Sequence, residues 1–166
     1  MNKKKLIIII VASVLAVALL ATGGYFLIKN GFSAGTSGKA VISVESVSAK
    51  VGDTVKIPVK ISGNKGFMGF LLEFQYDNEA LKYDGYDKGD VITDYEFSDN
   101  DGTLSFVCIE NDDVKKNGTL VYLKFKVLDT KKNSAEIKVN VNKESFANSN
   151  EEYVVFNGKN GTVTIK

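Results

Sequence analysis

The chain has 166 residues, with 21 lysines and no arginine, 20 acids, no histidine, no tryptophan and a single cysteine. The absence of His excludes Ser-His-Asp and Cys-His catalysis and most zinc sites. The lone Cys108 excludes an internal disulfide.

The first residues, Met1-Asn2-Lys3-Lys4-Lys5, form a positive cluster, and Leu6 to Ile28 carries no charge. At roughly 1.5 Å per residue that run is long enough to cross the ~30 Å core of a bilayer. Residues 1–29 therefore read as a leader, with two fates. Cleavage near Ala21-Thr22-Gly23 would make it a signal peptide and the product secreted. An uncleaved run would make it a single-pass membrane anchor, which the apolar tail Tyr25-Phe26-Leu27-Ile28 before Lys29 favours. In both cases the lysine cluster stays inside and the rest is exported. Residues 30–39, Asn-Gly-Phe-Ser-Ala-Gly-Thr-Ser-Gly-Lys, read as a flexible tether averaging about 15–20 Å. Removing Lys3, Lys4, Lys5 and Lys29 from the 21 lysines leaves 17 against 20 acids, a net of −3. A mildly acidic exported domain without Arg is a poor nucleic-acid binder.

Residues 40–166 read as one β domain. Ala40 to Ser48 alternates around Ile42 and Val44 as a first strand. Thr54 to Ile61 is a second, with Val55, Ile57, Val59 and Ile61 inward and Lys56, Pro58 and Lys60 outward. Pro58 lacks an N–H and predicts a sheet edge or a bulge. Gly66 to Tyr76 is the most apolar strand. Phe70, Leu72, Phe74 and Tyr76 share the core parity, while Gly69, Leu71, Glu73 and Gln75 look outward. Leu81 to Tyr86 and Tyr95 to Ser98 follow, and then the tight turn Asp99-Asn100-Asp101-Gly102, whose Asp-Gly end has hairpin chemistry. Thr103 to Glu110 returns as a strand, before a polar loop at Asn111–Gly118. Leu120–Leu128 and Ala135–Val141 alternate cleanly, Asn142–Asn150 reads as loop, and Tyr153–Phe156 and Thr162–Ile165 close the domain. Nine or ten short strands with Gly/Asn/Asp turns predict an all-β sandwich of the jelly-roll or immunoglobulin-like kind.

Catalytic residues do not emerge. Asp99 with Asp101, or Asp112 with Asp113, are neighbours in turns rather than carboxyls held across a cleft. Asp99 to Gly102 also departs from a calcium loop, with its Gly fourth instead of sixth. Cys108 has core parity. No Trp is present, and Tyr83, Tyr86, Tyr95, Tyr122 and Tyr153 are scattered, which lowers a sugar-binding reading and leaves a surface carbohydrate-binding module as the alternative. The remaining feature is outward apolar parity on two strands. Leu71 on one, with Val107 and Ile109 on the other, would form an apolar patch if the strands are neighbours, rimmed by Gly69, Glu73, Gln75, Ser105 and Glu110. An apolar centre with a polar rim is the anatomy of a protein-binding face.

The domain resembles cohesin modules. Val51-Gly52-Asp53-Thr54-Val55-Lys56-Ile57-Pro58-Val59 is similar to their V-G-D-T-V-x-I-P-V run. Gly66–Tyr76 with Asp77-Asn78-Glu79-Ala80-Leu81 is similar to G-x-x-x-x-x-F-x-F-x-Y-D-P-x-x-L, with Asn78 in place of Pro. Lys88-Gly89-Asp90-Val91, Gly118-Thr119-Leu120 to Val127, and Phe156-Asn157-Gly158 to Ile165 match the later motifs in order. The resemblance implies a nine-stranded jelly roll that is not an enzyme, carries no cofactor, and as a monomer binds dockerins, calcium-loaded modules on secreted hydrolases of cellulosome-type assemblies. It places the dockerin face on the strands at Gly66–Tyr76 and Thr103–Glu110 and on a last long strand near Glu151–Val155, which adds Glu151 and Tyr153 to the site. Gly69 and Leu71 stand where the best-known group has Asn and Asp, implying a more apolar surface. With the leader and tether, the chain would be a cell-surface socket for a dockerin-bearing enzyme or scaffoldin, its domain on the extracellular side.

Overall fold

The computed structural model describes residues 40–166, so the leader and tether readings for residues 1–39 fall outside the described residues. Twelve strands pack as two sheets. The first has five: β1 (Val41–Val44), β3 (Thr54–Ser62), β5 (Leu81–Lys88), β8 (Gly118–Val127) and β11 (Asn157–Lys159), in the order β11-β1-β3-β8-β5. The second holds β2 (Val47–Ala49), β4 (Phe67–Tyr76), β6 (Tyr95–Asn100), β7 (Thr103–Val114), β9 (Ser134–Asn140) and β12 (Gly161–Ile165), in the order β2-β12-β9-β4-β7-β6. There β10 (Phe146–Ala147) also pairs with β4.

Alternation sets which residues fill the space between the sheets. Ile57 and Val59 of β3, Leu72 and Phe74 of β4, Leu104 and Phe106 of β7, and Leu123 and Phe125 of β8 are all fully buried. The domain is thus an all-β sandwich, as the patterning predicts. Its strand count exceeds nine because several runs are divided. The expected strand at Ala40–Ser48 breaks at Glu45–Ser46 into β1 and β2, one for each sheet. The tail does the same at Asn160, between β11 and β12. The two crossings touch: a Cβ at Gly161 would lie 2.7 Å from Val44 Cγ1 and 2.8 Å from the Glu45 carbonyl oxygen, so only glycine fits.

Three further expectations are corrected. β3 is not an edge strand, since it lies between β1 and β8; the bulge reading holds instead, with a register shift at Val59/Lys60. The Pro58 carbonyl accepts from Glu45 N–H at 3.0 Å, just past the last β1 pair, Val44 with Val59. The missing N–H of Pro58 therefore falls where that ladder ends. β7 runs on to Val114, into the expected loop. Tyr153–Phe156 is not a strand; its one ladder pair is an isolated antiparallel bridge from Tyr153 to Ala147, within the segment expected to be loop. The Asp99–Gly102 turn forms as predicted, with positive φ at Asp101 and Gly102.

Candidate protein-binding face

The outer face of the second sheet is built by register. Across β4 and β7, Leu71 stands opposite Val107, Gly69 opposite Ile109, Glu73 opposite Ser105 and Gln75 opposite Thr103. Directly paired residues share a face, so the predicted apolar patch exists as one surface. On the other side of β4, Ala147 stands opposite Gly69, and Tyr153 bridges Ala147. One row therefore reads Ile109, Gly69, Ala147, Tyr153. With no side chain at Gly69 and a methyl at Ala147, the middle of that row is low between Ile109 and Tyr153. Tyr153 and Val155 are 53% and 64% exposed, the most exposed of the large apolar side chains in the described residues. Leu71, Val107 and Ile109 are half-buried.

The irregular flank is held in place from beneath. Phe146 is fully buried and Phe156 nearly so. Phe146 packs on Phe67, Phe70 and Phe156 at ring distances of 5.4, 5.0 and 4.3 Å. Val154 N–H donates to the Phe146 carbonyl at 3.0 Å, and Leu71 N–H to the Ser145 carbonyl at 2.9 Å. The turn at the tip is closed by the Asn148 side-chain oxygen, which accepts from Asn150 and Glu152 N–H, each at 3.0 Å. Ser149 N–H and Oγ donate to the Asp113 carboxylate at 2.7 and 3.0 Å, tying this turn to the end of β7. The outward alternation of Tyr153 and Val155 thus rests on inward Val154 and Phe156.

Two predicted site residues lie elsewhere. Glu110 has the opposite parity to Val107 and Ile109, and its carboxylate accepts from Thr93 N–H, Thr93 Oγ1 at 2.9 Å and Asp94 N–H at 3.3 Å. It fastens the connection before β6 and does not rim the patch. Glu151 sits at the exposed tip of the turn with φ of +66°, not in a strand. The register instead adds Ala147, and alternation adds Val155. A lone Phe146 within the polar run Lys143–Asn150 was the available sequence cue for the first.

Electrostatically the face leans acidic. Glu96 on β6 stands opposite Val107. Burial pushes the Glu73 carboxyl above its ordinary value. Among the described residues no cluster of three His, Cys, Asp or Glu is arranged to hold a metal ion. Asp99 and Asp101, weighed above as an acid pair, accept from Tyr76 OH at 3.3 Å and Asn78 Nδ2 at 3.2 Å, which secures their turn. Cys108 is fully buried and burial pushes its thiol strongly up, away from the nucleophilic thiolate. Tyr83 packs on Phe125, and Tyr86 and Tyr95 pack with Phe97 and Phe106, two separate groups instead of one open platform. What this face can do chemically is bury apolar surface against a partner with matching polar edges.

Comparison with known proteins agrees with this architecture. The chain is 42% identical to the cellulosomal-scaffolding protein A of Acetivibrio thermocellus over 55 residues, 32% of this chain and 3% of that protein's length. The sixth cohesin of scaffoldin B from Acetivibrio cellulolyticus, solved in complex with a dockerin, superposes with a TM-score of 0.70 at 22% identity, covering 77% of this chain and 99% of that one. A type I cohesin–dockerin complex from Clostridium thermocellum gives 0.68 at 20% identity, with 77% and 99% covered. A non-cellulosomal cohesin from the archaeon Archaeoglobus fulgidus gives 0.64 at 21%, with 77% and 91% covered. The structures agree in fold, and the sequence model of the cohesin domain matches residues 40–165. This chain belongs to the cohesin-domain family.

Proposed function

We propose that the chain is a non-catalytic receptor that captures a dockerin-bearing protein on the outer face of β4, β7 and the β10–Val155 segment. The observation that carries this reading is the apolar group Leu71, Val107, Ile109, Tyr153 and Val155 on one preformed surface, set among Glu73, Gln75, Ser105 and Glu96. A preformed β surface binds with little ordering cost. Support also comes from solved cohesins of the same fold that were captured with dockerins bound. In this reading the domain is a monomer without a cofactor of its own, and calcium resides on the partner. The leader holds the domain at the outer side of the cell membrane, so the bound partner is displayed at the surface.

The test is capture. The domain of residues 40–166, immobilised, is expected to retain calcium-loaded dockerin proteins and to release them on chelation. Retention that ignores calcium, or none with any dockerin offered, would overturn the proposal. Retardation on plant or starch polysaccharides without dockerin capture would place the domain in a different class.

A further inference from the structure

The outer face of the five-stranded sheet has the opposite character. Its solvent-side positions form rows across β11, β1, β3, β8 and β5. Lys159, Ser43, Lys60 and Thr119 make one row; Pro58, Tyr122 and Asp87 the next; then Lys56 with Lys124; then Thr54, Lys126 and Lys82. Six lysines share this surface, with Asp87 the acid in those rows. Asp87 bridges Lys56 at 2.6 Å and Lys124 at 3.4 Å, and Glu45 approaches Lys60 at 3.6 Å. Lys82 and Lys126 stand directly opposite each other, both exposed, and neither enters an ion pair among the described residues. Like charges directly opposite destabilise a strand pair, so the fold alone gives no reason for them. They also run against the overall balance. Five of the 21 lysines precede residue 40, leaving 16 against 20 acids, a net of −4. Six of those 16 lysines gather on this sheet, while the outer face of the other sheet carries Glu73 and Glu96 with Lys138 opposite Gln75.

We propose that this lysine face docks on the anionic headgroups of the lipid bilayer. The setting rests on reading the leader as a membrane anchor. Two observations favour lipid as the occupant. The charge is complementary to an anionic headgroup layer, whose attraction for lysines extends over about a Debye length. Ten residues, 30–39, separate that leader from Ala40, which immediately precedes β1 of this same sheet. A domain resting on this face turns the opposite sheet, with Leu71 and Val107, toward solution. Docking would thus orient the receptor as well as hold it.

The described core and both sheets lie within residues 40–166, so the experiment uses this domain. The experiment is co-sedimentation with vesicles of mixed phosphatidylglycerol and phosphatidylcholine against phosphatidylcholine alone, at low ionic strength. Partitioning to the anionic vesicles is expected to exceed that to neutral ones by about tenfold and to vanish near about 0.5 M salt. The pair Lys82→Glu with Lys126→Glu is expected to abolish the preference. The charge-matched pair Lys131→Glu with Lys143→Glu, outside those rows, is expected to keep it. No preference in the unaltered domain, or equal loss in both pairs, overturns the proposal. So does retention on soluble polyphosphate without vesicle binding, which would assign the face to a polymer. Dockerin capture by the Lys82→Glu, Lys126→Glu protein separates the two faces. Capture retained while vesicle binding is lost supports both assignments; capture absent in every form counts against the receptor function and leaves the vesicle result standing.

Discussion

Leu71 and Val107 face each other across the β4–β7 pair, with both side chains on the solvent side of the sheet. Directly opposed side chains lie close enough to act as one apolar unit. Neither is needed to fill the core, because Phe70, Leu72, Phe106 and Cys108 occupy the inward positions beside them. Binding and folding are therefore separable at this pair.

The flank is different, because Phe146 sits under the face. Phe146→Ala is expected to cost about 3–5 kcal/mol of stability through the cavity it leaves. It should also weaken partner binding, since Ala147 and Tyr153 lose their support. Tyr153→Ala should weaken binding with stability nearly unchanged. Denaturant unfolding of both variants distinguishes the two roles.

Gly89 tests the fold independently of function. A Cβ there would lie 2.0 Å from the Thr119 carbonyl oxygen and 2.5 Å from that of Leu120, both backbone atoms. Gly89→Ala is expected to destabilise by about 2 kcal/mol or more, because the β5–β8 backbones must separate. A melting temperature equal to that of the unaltered domain would contradict this packing.

Two carboxylates give opposite pH signs. Lys116, bonded to Asp90 at 2.9 Å, and the Thr119 N–H hold the Asp90 carboxyl below its ordinary value. Its contribution is present above the unfolded pKa and is lost as pH falls through the lower folded one. Burial raises Glu73, so its contribution is present below the unfolded pKa and is lost as pH rises through the folded one. Thermal unfolding from about pH 3 to 7 should show Asp90→Asn losing less stability than the unaltered domain as pH falls, and Glu73→Gln losing less as pH rises.

Cys108 is predicted to be inert. A thiol reagent should label it only on unfolding, since the side chain is fully buried and its thiolate disfavoured. Rapid labelling of the native domain would mean that the β4–β7 interior opens.

Much of this was legible because alternation is a strong physical signal. Phe70, Leu72 and Phe74 could only be inward if Leu71 and Glu73 were outward, and the same held for Phe106 against Val107. Adjacency of the two strands was a conditional reading, and register supplied it. What escaped the sequence were elements too short to alternate. β10 is two residues long and contributes Ala147 to the face through one pair with Gly69. Glu110 shares the parity of Cys108, so alternation already set it off the Val107–Ile109 row, and its carboxylate is taken up by Thr93. Pro58 looked like an edge residue because a one-dimensional pattern does not show where a neighbouring strand stops.

The central claim is that the β4–β7 face receives a dockerin. Calorimetric titration of the Leu71→Asp domain with a calcium-loaded dockerin that the unaltered domain binds is the most direct measurement. The expected result is a loss of about 2 kcal/mol or more of binding free energy, on the scale of an interface hot spot, with an unchanged melting temperature. Unchanged affinity in a folded Leu71→Asp domain would contradict the assignment of this face.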